Sequence, residues 1–252
     1  MCDSSAKVPG AMTADDWERE AEHWIAWARA PGNDVYVVYR DAFFELVPDP
    51  GRATLEIGCG EGRVARDLAA RGHRVTGLDA APSMVRAAQL ADPDGEYVVG
   101  DAARLPFADR SFDLAVAYNS LMDVEDMPAA VGEAARVLEP GGRLCVCVLH
   151  PMADSGQFAG RTAQAPFVIT GSYLQDRLPW YHDQTFERGG LRIKFHSYRH
   201  SLEQYSLALE HAGFVIEALR EPPMPDVRLE RDPAGSRWQR LPNFLMLRAA
   251  AA

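Results

Sequence analysis

The sequence predicts an α/β protein built on a mostly parallel sheet with helices on both faces, and three observations carry that expectation. The run LEIGCGEG at residues 55–62 joins an apolar strand to a glycine turn and the start of a helix. Two further apolar runs, at 74–79 and 97–101, each end in an acid. The run FDLAVAY at 112–118 is apolar enough to be buried on both faces, as parallel strands are.

The elements follow in order. Thr13 can cap a first helix with Asp15 and Asp16 in its opening turn, and Trp17, Trp24 and Ala28 recur at helical spacing. Pro31-Gly32-Asn33-Asp34 ends it, and a second helix carries Tyr36, Tyr39, Phe43 and Val47 on one side. Both helices are expected to bury their aromatics against the sheet. After the strand at 55–57, a helix over 63–70 sets Val64 one turn from Leu68, and Gly72 closes it. A second strand spans 74–79, Pro82 opens another helix, and a third strand covers 97–99. The fourth strand, 112–118, leads to a helix over about 129–138, the turn Glu139-Pro140-Gly141-Gly142 and a fifth strand at 143–149.

The long segment 152–197 then interrupts the alternation with five glycines and a possible hairpin over 186–195. Its aromatics (Phe158, Phe167, Tyr173, Trp180, Tyr181, Phe186) argue against disorder and favour a cover over a substrate. Ser201 caps a helix that Gly213 ends, a strand spans 214–219, and a final strand covers 241–247.

Spacing decides which ligand the glycine turn suits. A dinucleotide turn, G-x-G-x-x-G, would put its third glycine on Arg63, whereas the third glycine here is Gly62. The observed E-x-G-x-G-x-G at Glu56, Gly58, Gly60 and Gly62 resembles the first motif of the class I S-adenosylmethionine (SAM)-dependent methyltransferases. Asp79 lies 17 residues beyond Gly62, close to the separation of roughly 20 at which an acid meets a ribose. The turn RVLEPGG at 136–142 also resembles the family's turn before strand five.

That resemblance implies a Rossmann-like seven-stranded, mostly parallel sheet with helices on both faces and an antiparallel last strand. It also implies SAM as cofactor and S-adenosylhomocysteine (SAH) as product. The matching cofactor-binding positions are Glu56, Gly58, Cys59, Gly60, Asp79, Ala80, Met84, Asp101, Ala102 and Asn119. Among them Met84 would pack on the adenine and Asp101 would accept from its amino group. Residues 1–48 are then a helical extension or lid, and 49–252 the SAM-binding domain with a substrate-cover insert at 151–197.

His150-Pro151, the aromatic insert, residues 198–202 and Glu221-Pro222 look like a bacterial subset acting on small molecules. That subset has His-Arg before its last helix, where this chain has Arg199-His200. The acceptor would be a small organic molecule methylated at oxygen, nitrogen or carbon. Alternatives are an enzyme of this fold that catalyses a cyclisation or rearrangement without methyl transfer, and a non-catalytic SAM-binding subunit. Methyl transfer is an in-line displacement, so holding the acceptor about 3 Å from the methyl carbon supplies most of the catalysis. His150, ending a parallel strand at the ligand-binding edge, is the candidate base, or else an orienting hydrogen-bond partner of the insert. Tyr36, Tyr39, Asp123, Tyr173 and Trp180 are the candidate acceptor contacts; Asp123 could instead cap the next helix.

Composition bounds the rest. A net charge of −10 over 252 residues with no basic stripe argues against a nucleic-acid partner. No apolar run reaches the roughly 18 residues of a membrane span and no signal peptide is evident, so a cytoplasmic monomer or homodimer away from the membrane is expected. Cys145 and Cys147 share a strand face with no further metal ligands nearby; no metal site is expected.

Overall fold

The computed structural model describes residues 14–32, 35–170, 173–174, 180–226 and 233–252. Of residues 14–15, 180–184, 196 and 233–234 only the backbone is described. Two helices lead in, α1 (Ala14–Arg29) and α2 (Tyr36–Phe44). An alternating series follows: β1 (Thr54–Ile57), α3 (Arg63–Ala70), β2 (Val75–Asp79), α4 (Pro82–Ala91), β3 (Glu96–Val99) and β4 (Phe112–Tyr118). A 3₁₀ turn (Leu121–Asp123) then precedes α5 (Met127–Val137) and β5 (Leu138–Leu149).

Next come α6 (Pro151–Asp154), the paired short strands β6 (Gly156–Phe158) and β7 (Phe167–Ile169), and the hairpin β8 (Trp180–Arg188) and β9 (Leu191–Arg199). The chain closes with α7 (Leu202–His211), β10 (Phe214–Arg220), a second 3₁₀ turn (Pro233–Gln239) and β11 (Phe244–Ala251).

Seven strands form one sheet in the order β10-β11-β5-β4-β1-β2-β3. All neighbours are parallel except β11, which runs antiparallel to both β5 and β10. The chain moves outward from β1 to β3 on one side and from β4 onward on the other. The loops after β1 and β4 therefore part, and a crevice opens at the carboxyl ends of these strands.

Period-two alternation divides the core between the two sheet faces. Leu144, Val146 and Val148 of β5 with Leu245, Leu247 and Ala249 of β11 pack under α5 and α7. Cys145, Cys147, Phe244 and Met246 face the other way, beneath α2 and α3. Both cysteines are fully buried and fill space as small hydrophobes.

Three boundaries differ from the sequence expectation. β11 lies three residues later than the expected 241–247 and runs on through Ala251, because pairing with β5 and β10 recruits alanines of weak strand preference. The hairpin spans 180–199 rather than 186–195, turning at Gly189-Gly190, both with positive φ. β5 starts at Leu138, inside the expected helix, where Leu138 pairs with Phe112 before a register shift.

The two leading helices also part ways. Tyr36, Tyr39 and Phe43 of α2 are buried in the core. α1 instead lies over α4 and the hairpin: Glu18 accepts from Ser83 N (2.9 Å) and Ser83 Oγ (2.6 Å), and Trp24 and Trp27 meet Phe195 edge-on.

Candidate active site

The crevice opens into a cavity of about 1560 Å³. All ten positions predicted for the cofactor line it: Glu56, Gly58, Cys59, Gly60, Asp79, Ala80, Met84, Asp101, Ala102 and Asn119.

The glycine loop is pinned from below by the Asp79 carboxylate, which accepts from Gly60 N at 2.8 Å and from Ala81 N at 2.9 Å. Gly58 is required by packing: with φ +72°, an added Cβ would overlap the Ser120 side chain, whose hydroxyl donates to Ile57 O at 2.6 Å. Gly62 likewise turns its open side to Ala88 and Tyr97. Two of the three glycines thus make room for protein, whereas at Gly60 the nearest atom to an added Cβ is Trp24 Nε1, 3.3 Å away across the cavity lining.

Glu56 is 1% exposed, and its Oε2 has no hydrogen-bond partner among the described residues. Burial pushes its carboxyl well above the usual range, the nearby Arg63 charge opposes this, and Asp79 adds to it. A buried acceptor without a donor is costly, so the cavity presents an unmet demand for an N–H or O–H here. Burial likewise raises the Asp79 carboxyl, with the backbone donors at Ala81 and Gly60 pulling the other way. Asp101 is exposed and folds back to accept from Ala103 N at 2.9 Å. Met84 is buried between Ala81 and Ala21, tying the cavity floor to α1. These acceptors and the apolar Met84 surface suit a group with a ribose, an amino group and a flat apolar base.

The acceptor side departs further from the sequence expectation. Tyr36 and Tyr39 do not reach the cavity. The Tyr36 hydroxyl donates to Asp67 at 2.6 Å, and Tyr39 is fully buried with its hydroxyl 3.9 Å from Met224 Sδ. Their spacing reported a core-facing stripe, and both are corrected to packing residues. Tyr173 does not line the cavity; its hydroxyl accepts from Leu202 N at 3.2 Å. Trp180 contributes its backbone to β8, and its side chain lies outside the described residues.

His150 is corrected as well. It is 3% exposed and does not line the cavity. Its Nδ1 accepts from Met152 N at 3.1 Å, capping α6, so the proton sits on Nε2, which donates to Glu221 at 2.8 Å. With both ring nitrogens engaged it is an orienting residue. Asp123, by contrast, does line the cavity, and the cap of α5 is Asp126, which accepts from Ala129 N at 3.0 Å.

Sequence reasoning missed much of the acceptor wall. Trp27 and Phe195 line the cavity beside Trp24, and Trp238 stands 4.9 Å edge-on from Phe158. The only signal for Trp27 and Phe195 was the abundance of aromatics in the first helix and the insert, and Trp238, in the 233–239 turn, had none.

Comparison with known proteins agrees with this geometry. Residues 55–146 match the family model described as a methyltransferase domain. The chain is 34% identical over 187 residues to the demethylmenaquinone methyltransferase of Thermotoga maritima, covering 73% of this chain and 76% of that one. It is 41% identical over 97 residues to the enzyme of that name from Beutenbergia cavernae, and there it spans only 40% of the relative's length. Among solved structures, a SAM-dependent methyltransferase from Mesorhizobium loti superposes with a TM-score of 0.69 at 24% identity, covering 84% of this chain and 97% of that one, a likeness of fold. The chain belongs to the class I SAM-dependent methyltransferases, an enzyme family whose cofactor is SAM. Among the described residues no helix is long and apolar enough to cross a membrane.

Proposed function

We propose that this protein transfers the methyl group of SAM to an oxygen, nitrogen or carbon nucleophile of a small organic molecule. One observation carries the reading. The cavity that all ten predicted cofactor positions line is, at about 1560 Å³, larger than the roughly 300–1,000 Å³ that holds one drug-sized ligand. Its remaining wall sets aromatic rings (Trp24, Trp27, Phe158, Phe195, Trp238) among carboxylates such as Asp123 and Asp154, which suits a second, organic ligand rather than a nucleic acid.

Bound SAM supplies an electrophilic methyl on a sulfonium, with a neutral thioether as leaving group. The chain's own residues bind, orient and exclude water. Asp79 has free lone pairs for the two ribose hydroxyls once Gly60 and Ala81 are satisfied. Asp101 is the acceptor for the adenine amino group, and Met84 the apolar surface against the base. Glu56 Oε2 takes a donor at the methionine end, beside the turn made by Asn119 (φ +52°). α1, with Trp24 over Gly60, and the hairpin β8–β9 cover the opening and keep the site dry, which favours dispersal of the sulfonium charge. Residues 1–48 act as a lid through α1, and 151–197 as the acceptor cover.

Calorimetric titration with SAH, with NAD as the comparison, tests the cofactor reading. Saturable SAH binding and silence with NAD are expected. A folded protein that binds NAD, or neither ligand, overturns it.

A further inference from the structure

Asp123 differs from every other carboxylate on the cavity wall. It ends the 3₁₀ turn after β4, is partly buried, and accepts no side-chain hydrogen bond from the described residues. Asp154 of α6 also lines the cavity, but it has a cation: Arg199 Nε of β9 lies 3.6 Å from its Oδ2, both side chains being largely buried. Burial, and then the negative charges of Asp79 and Asp154, push the Asp123 carboxyl well above its ordinary range. The Arg199 guanidinium pairs with Asp154, and Asp123 has no ion pair among the described residues. A desolvated charge persists only when it is paired, so the position facing Asp123 calls for a cation or a proton.

Two features favour an organic cation. Phe195, Ser197 and Arg199 occupy alternate positions on β9 and so share one face, which runs from the aromatic cluster to the carboxylate pair. Phe195 lies edge-on to Trp24 at 5.8 Å and to Trp27 at 6.3 Å, and all three rings line the cavity. Trp27 and Phe195 put aromatic rings on the same cavity wall as the Asp123 carboxylate, a combination that attracts an ammonium ion. Three of the four arginines on the same wall are engaged elsewhere: Arg63 stacks on Trp24 and Tyr36, Arg188 donates to Gly32 O, and Arg237 lies over Phe158, while the fourth, Arg161, is exposed.

Resting on the methyl-transfer reading above, we propose that the acceptor is an aryl-alkyl amine that enters as its ammonium ion, and that Asp123 binds the nitrogen and takes its proton. The proton passes from nitrogen to the Asp123 carboxylate. The freed lone pair forms the N–C bond as the methyl C–S bond breaks, and that bond's electron pair stays on sulfur. The sulfonium charge passes to the methylated ammonium, and Asp123 returns its proton to solvent as the product leaves.

The test is calorimetric titration of the SAH-loaded protein with 2-phenylethylamine, 2-phenylethanol and 3-phenylpropionate. The wild type is expected to bind the amine at least about tenfold more tightly than the alcohol, as a charge-assisted hydrogen bond provides. Asp123→Asn is expected to lose that preference with SAH affinity unchanged, whereas Glu125→Gln, an exposed acid on the same wall, keeps it. An amine that binds no better than the alcohol, including no binding by either, overturns the proposal. So does an amine preference that survives in Asp123→Asn. Failure of SAH itself to bind strikes the underlying methyl-transfer reading, and is seen before any amine is added.

Discussion

Replacing Asp79 by alanine tests the centre of the site, because the carboxylate serves the fold as well as the ligand. It accepts from Gly60 N at 2.8 Å and from Ala81 N at 2.9 Å, joining the glycine loop to the start of α4. From the sequence alone this substitution is expected to leave the fold intact; the two backbone bonds change that expectation. Each charge-assisted bond contributes about 1.5–3 kcal/mol. Removing a desolvated carboxylate returns part of that, as its raised pKa shows. A net loss of about 2–3 kcal/mol corresponds, for a chain of this size, to a fall in Tm of roughly 4–12 °C. SAH affinity should fall about a hundredfold or more, since 1.4 kcal/mol is a factor of ten and both ribose contacts are lost. Differential scanning calorimetry and SAH titration read the two effects separately. An unchanged Tm would refute the structural role of the carboxylate, and near-normal SAH affinity would refute its role at the ribose.

Other expectations concern groups away from the glycine loop. The Asp123 carboxyl is raised in the folded chain, so the native state binds more protons than the unfolded one just above the ordinary aspartate range, and stability falls as pH rises through that window. Asp123→Asn should therefore have a higher Tm than wild type in mildly alkaline buffer, with the gap closing on acidification; a gap independent of pH would contradict the assignment. His200, whose Nε2 has no partner among the described residues, is pushed down to about 4 by burial. A depressed value means its contribution is present above the ordinary histidine pKa and lost as pH falls from 6.5 to about 4, on the order of 3 kcal/mol in all. His200→Phe, packed against Tyr205, should lack that acid-side loss in a pH series of urea unfolding curves. Parallel curves for the two proteins would sink the argument. Tyr39→Phe removes only a long O–H to sulfur contact and should leave SAH binding unchanged, while Tyr39→Ala should cost about 3–5 kcal/mol; a change in SAH affinity for the phenylalanine variant would return Tyr39 to the site.

The cofactor half of the site was legible because its residues sit within a few positions of strand ends, where the chain's direction fixes where they point. Glu56, Gly58, Asp79 and Asp101 each end or follow a strand, and parallel strands deliver them to one edge. The acceptor half draws on α1, the 3₁₀ turn, β9 and the 233–239 turn, segments far apart in sequence, and no local pattern records which of them meet. Tyr36 and Tyr39 show the limit of periodicity. A three-residue spacing marks an apolar face without saying whether sheet or ligand covers it, and here the sheet does. Trp17 and Trp24, seven residues and about two helical turns apart, likewise mark one face of α1 and line the cavity instead. His150 was misplaced for a different reason: the chain bends into α6 at that residue, and the ring is consumed as a helix cap.

The seating of β11 sets the timetable on which this molecule can form. It is made after every other strand, yet it lies inside the sheet, between β5 and β10, and contributes Phe244, Leu245, Met246 and Leu247 to the two core layers. While the chain is being synthesised, the β1–β5 half can assemble, but β5 keeps an unpaired apolar edge and β10 has no partner at all. Such an edge is a template for association with other nascent chains. Yield in a cell should therefore respond to chaperone supply and to growth temperature more than the finished protein's thermal stability suggests.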